Sequence, residues 1–121
     1  MTETIGNYIA LLFLSRDFAH RAHLRATSHA QHIILQEFYE RMTELADKLA
    51  EAYQGRHGLI DIPYLDAPSE IEPIAVISNF LELFEGSREA AIPASDRPLN
   101  NIVDEIAGQF LSTLYKLKNL K

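Results

Sequence analysis

Apolar residues recur every three to four positions along most of this chain, and no stretch alternates apolar and polar residues as a half-buried strand would. The pattern predicts four helices. The first covers residues 4–24, where Ile5, Ile9, Leu12, Phe13, Phe18, Ala19 and Ala22 form a wide apolar face. Thr27 or Ser28 is placed to cap the second helix, and Ser28 with Gln31 has the capping-box spacing. That helix covers residues 28–54 through Ile34, Leu35, Phe38, Met42, Leu45, Ala46, Leu49 and Tyr53, with Gly55 as its expected stop. Its length is about 40 Å at 1.5 Å per residue. The third covers residues 73–91, its last turns weakened by Gly86 and Ser87. The fourth covers residues 97–118, with Asp96 as its cap and Pro98 in its first turn.

Between the second and third helices lies a segment broken by Gly58, Pro63 and Pro68. Residues 55–68 are more than two adjacent helices need and suit a crossover from one end of a bundle to the other. The expected fold is all-α: an antiparallel four-helix bundle in one domain, with a long crossover between helices 2 and 3.

Composition narrows the function. The 121 residues, 47% hydrophobic, can bury a core, and the absence of cysteine removes disulfides, thiolate metal sites and cysteine nucleophiles. A net charge of -6 argues against general nucleic-acid binding. The residues Met1–Thr4 lack the basic start of a signal peptide, and the apolar run 9–14 is too short to span a bilayer. A cytoplasmic protein is the expectation.

The candidate chemistry is a set of imidazoles and carboxylates. Asp17, His20 and His23 follow at three-residue steps, and His29 and His32 open the next helix, so four of the five histidines crowd one corner. Such residues are also common as half-exposed polar groups near helix ends. Asp47 and Glu51 lie four apart and share a helix face. Glu37, Glu40 and Glu44 could extend that face as a solvated acidic stripe, with Lys48 pairing Glu44. His32 and Asp47 are fifteen residues apart, about 22 Å along a helix. They cannot serve one ion within one straight helix. If His23, His32, Asp47 and Glu51 act together, a second copy must run antiparallel to the first. Asp104 and Glu105 read as a surface pair or a partner contact, and Lys116, Lys118 and Lys121 as a dipole-matched basic end. No phosphate loop, nucleophile elbow or His-Glu-x-x-His motif occurs.

The stretch from His20 to Gly55 resembles Dps, the ferritin-like DNA-protection family. His20-Arg-Ala-His23 resembles that family's first-helix His-x-x-His, and His32 with Asp47 and Glu51 matches the spacing of its second-helix ligands. The resemblance implies iron held by His23 and His32 of one chain with Asp47 and Glu51 of its two-fold mate. Short Dps-like proteins encoded by tailed bacteriophages are more similar still, through Thr27-Ser28-His29-Ala30-Gln31-His32, Glu51-Ala52-Tyr53-Gln54-Gly55 and Thr113-Leu114-Tyr115-Lys116-Leu117. Two positions depart from the Dps pattern: Gln36 stands where that family has a further carboxylate, and Leu24 where a tryptophan is usual.

The expected function is therefore Dps-like binding of iron, with manganese and zinc as alternatives, in a homo-oligomer of at least a dimer, extending to oxidation of ferrous iron. The competing reading is a non-enzymatic helical phage protein that binds a host protein or a small ligand.

Overall fold

In a computed structural model the chain is described over residues 2–121, with side-chain surroundings from Thr4 onward. Regular structure among the described residues is wholly helical: α1 (Thr2–Arg25), α2 (His29–His57), α3 (Pro73–Gly86), the single turn α4 (Arg88–Ala91) and α5 (Arg97–Asn119). Side chains set the starts. Ser28 Oγ accepts from Gln31 N, the Glu72 carboxylate accepts from Ile74 N and Ala75 N, and Asp96 accepts from Leu99 N. Helix α2 runs past Gly55 to His57, and Gly58, at φ +93°, makes the turn instead. The reason lies next to it: Gly58 N donates to the Gln54 carbonyl, and Ile60 N donates to Gln54 Oε1. The expected third helix is two pieces. Ser87 Oγ bonds back to the Leu83 carbonyl after the weak Gly86, and Arg88 restarts the chain toward Asn100 and Asp104.

The four long helices pack in a closed circuit, α1 on α2 and α3, and α5 on α2 and α3. Ion pairs fix direction: Arg56 meets Asp96, Lys48 and Arg41 meet Glu105, and Lys116 meets Glu37, so α2 and α5 are antiparallel. Phe18 against Phe80 and Tyr8 against Phe84 make α1 and α3 antiparallel as well. Helices α2 and α3 then share a direction across the diagonal, and residues 58–72 must travel the bundle's length to join them. Asp104 and Glu105 are spent within the chain, on Arg88 and on Arg41 with Lys48. Lys48 therefore crosses to α5 rather than pairing with Glu44.

One continuous core fills the interior. Aromatic rings run through it from Tyr8 to Phe84 (4.3 Å between centroids), Phe110 (6.2 Å) and Phe38 (5.2 Å), linking α1, α3, α5 and α2. Tyr8 is 1% exposed, its hydroxyl has no partner among the described residues, and burial pushes that hydroxyl well above the ordinary phenol range. Phe13, expected in the core, is 44% exposed. No helix among the described residues is long and apolar enough to cross a membrane.

Candidate metal centre

The α1–α2 corner is closed by its histidines. Only residues 26–28 separate the two helices. His23 Nδ1 lies 2.7 Å from the His32 carbonyl, and His32 Nδ1 lies 2.9 Å from the His23 carbonyl. A carbonyl only accepts, so both Nδ1 atoms carry the proton and donate. The two rings stack at 3.7 Å and 20°. His23 is buried and His32 half-buried. Each imidazole is thus locked in one tautomer and one orientation, with Nε2 free of any hydrogen bond among the described residues. Donation of one ring nitrogen to a backbone carbonyl is how proteins prepare the other as a metal ligand.

Two further rings back this pair. Tyr39 stacks on His20 at 4.2 Å and stands edge-on to His23 at 5.4 Å, with the Arg16 guanidinium 5.7 Å from its centroid. Arg16 Nε also donates to Thr43 Oγ1, whose hydroxyl donates to the Tyr39 carbonyl. The position of Tyr39 was readable in the sequence: it follows His32 by seven residues, two helical turns, and so shares its face. His20 lies in the same ring cluster, while His29 is exposed. Asp17 is taken by Arg21 at 2.8 Å.

Asp47 and Glu51 lie at the other end of α2, both exposed, and neither has a hydrogen bond or ion pair among the described residues. Asp47 borders a hollow of about 240 Å³ between α1 and α2, walled by Phe13, Arg16, Met42, Thr43 and Ala46. Within one chain the described residues bring no three histidine or carboxylate side chains together as a metal cluster. One chain therefore holds the imidazole pair at one end of the α1–α2 face and the carboxylate pair at the other. Between them lie apolar groups and the Arg16–Thr43 pair, with Gln36 and Glu40 on α2 having no side-chain partner among the described residues.

Comparison with known proteins adds lineage. An uncharacterised 14.6 kDa protein from the mobD-ri intergenic region of Enterobacteria phage T4 is 26% identical over 112 residues, covering 91% of this chain and 84% of that relative. No solved structure matches. Residues 23–117, which carry His23, His32, Asp47 and Glu51, match the Family of unknown function (DUF5856), and the chain belongs to that family.

Proposed function

We propose that this protein is a Dps-like, ferritin-like bundle that pairs through the α1–α2 face and binds a divalent transition metal between two copies. The observation that carries the reading is the reciprocal histidine clamp. Two imidazoles, each donating Nδ1–H to a carbonyl, present Nε2 atoms without a hydrogen bond among the described residues in a fixed arrangement. The face is also bipolar. Histidines occupy one end, free carboxylates the other, and an apolar hollow around Phe13 and Ala46 the middle. Turned antiparallel about a two-fold axis, such a face sets imidazoles against carboxylates twice. One hairpin, a long crossover and antiparallel neighbours also follow the connection pattern of ferritin-like folds.

In this reading His23 and His32 of one copy and Asp47 and Glu51 of the other hold the ion. Two neutral nitrogens and two anionic carboxylates suit ferrous iron, with manganese and zinc as competitors. Iron is then the substrate: two ferrous ions give two electrons to peroxide, which takes up two protons and leaves as two waters. The side chains bind and orient, with the half-buried rings of Tyr39 and His20 packed beside the histidines. The host cytoplasm is the proposed setting.

The clamp also favours a second reading, in which the histidines only staple the corner and the protein is a non-enzymatic module. One experiment separates the two. Anaerobic ferrous titration of His32→Ala and of Glu51→Gln should show loss of binding in each alone. Co-refolding the two variants one to one should restore about a quarter of the wild-type sites, because half the dimers are mixed and each carries one intact site of two. Full binding by either variant alone, or no recovery in mixed dimers of confirmed mass, would sink the inter-subunit assignment.

A further inference from the structure

Tyr64 is a fully exposed aromatic ring on a segment tied down at both ends. Before it, Ile60 N donates to Gln54 Oε1, and the Asp61 carbonyl lies against Gly6, where a Cβ would collide with it. After it, the Glu70 carboxylate accepts from Ile71 N and Glu72 N. Its neighbours Ile62 and Leu65 line a hollow with Phe13 and Leu14 of α1. Tyr64 itself buries none of its surface against its own chain. An aromatic ring presented by an anchored backbone loses less freedom when it meets a partner.

Where it meets one follows from the register of the proposed dimer. The reciprocal bonds put His23 level with His32, and Phe13 shares a hollow with Met42, so α1 numbers fall as α2 numbers rise. Asp47 and Glu51 centre about 25 Å along α2 from His32. A two-fold axis that brings them to the partner's histidines crosses the face halfway, about 13 Å from each, level with Tyr39–Met42 on α2 and Phe13–Arg16 on α1. Tyr64 lies at that level too, beside Phe13, Leu14 and Asp17. So does the hollow of about 240 Å³ between α1 and α2, walled by Phe13, Met42 and Ala46 and bordered by Arg16 and Asp47. The two border charges are opposite, so the hollow suits a neutral occupant, apolar with one polar tip. Arg16 spends Nε on Thr43 Oγ1, and its terminal nitrogens have no hydrogen bond among the described residues. We propose that Tyr64 of each copy docks in the partner's α1–α2 hollow, its ring on Phe13 and Met42 and its hydroxyl accepting from Arg16. The proposal rests on the inter-subunit metal reading, because the match of histidines to carboxylates is what places the axis.

The chain has no tryptophan, so Tyr64→Trp puts a single fluorescent reporter on the crossover. In metal-free, full-length protein its emission should be that of a water-exposed indole at dilution, and should shift to the blue as sedimentation shows dimers forming. Tyr64→Ala should weaken the dimer at least tenfold, as truncating an aromatic at an interface centre does, with the monomer's melting unchanged. Phe13→Ser should weaken it to a similar degree and, combined with Tyr64→Trp, remove the blue shift. At concentrations where Tyr64→Ala is dimeric, its ferrous affinity should equal that of the wild type. A dimer that Tyr64→Ala leaves intact, or a Tyr64→Trp dimer whose emission stays water-exposed, would overturn the docking and leave the inter-subunit ion standing. A Tyr64-dependent dimer in which His32→Ala and Glu51→Gln fail to complement would support the docking and overturn the ion's place. A chain that stays monomeric with and without ferrous ion would overturn both.

Discussion

The two ends of the α1–α2 face hold the same kind of candidate ligand in opposite states. At the corner, His23 and His32 are stacked, hydrogen-bonded to each other's backbone and walled by Tyr39. At the other end, Asp47 and Glu51 stand exposed, without partners among the described residues. The difference separates two roles that one residue list runs together. The histidines hold the chain's own corner shut, so they contribute to folding whether or not they meet an ion. The carboxylates contribute nothing visible to this chain, so any role they have is toward something outside it.

That contrast predicts a split between stability and binding, and its largest expression is at the corner. His23→Ala removes a hydrogen bond worth about 1 kcal/mol and a ring stack worth about as much. We expect a loss of about 2 kcal/mol, measured by urea unfolding of metal-free protein, together with loss of ferrous binding. A destabilisation below about 0.5 kcal/mol would show that the clamp is idle and erase the difference between the two ends. His23→Phe sharpens the point: the stack survives and the clamp does not, so about half the loss should return.

At the open end the expectation reverses. The double variant Asp47→Asn/Glu51→Gln removes two exposed, unpaired charges, a change that usually stays within about 0.5 kcal/mol. Its monomer stability should match the wild type while ferrous affinity falls at least tenfold. Unfolding at unchanged midpoint with unchanged metal binding would return both residues to the solvated acidic face of α2.

Much of this architecture was legible because helix periodicity and caps are local. Ser28 and Asp96 start their helices where their side-chain oxygens dictate, and the breaks at Gly58 and Pro63 announce the crossover. Gly55 misled because a glycine can remain helical when the carbonyl before it is satisfied, as that of Gln54 is by Gly58 N. Phe13 misled because a single-helix pattern cannot show which apolar residue the neighbours leave bare. Lys48 found a partner on α5 rather than on its own helix, a pairing that only packing decides. At the site, the spacing of His23 and His32 marked a cluster. It could not show that each ring would bond the other's carbonyl, since that depends on how tightly residues 26–28 turn. The role proposed for Asp47 and Glu51 is toward a second copy, and periodicity in one chain does not encode such a contact.

The smallest effect asks how far the fastening at the histidine end extends. The crossover arrives there through Glu70, whose carboxylate accepts first from Glu72 N and then from Ile71 N, and these bonds lower its pKa. A carboxyl with a depressed folded pKa stabilises the native state above its unfolded pKa, and that contribution fades as pH falls through the folded value. Glu70→Gln should therefore lower the Tm slightly at pH 7 and leave it indistinguishable from wild type near pH 2, where both side chains are neutral. The shift is small because Glu70 is fully exposed, so water competes for both bonds. A Tm difference that persists undiminished in acid would assign the effect to the side chain's shape rather than its charge. The crossover would then be fastened by packing alone at the very end where α1 and α2 are fastened by hydrogen bonds.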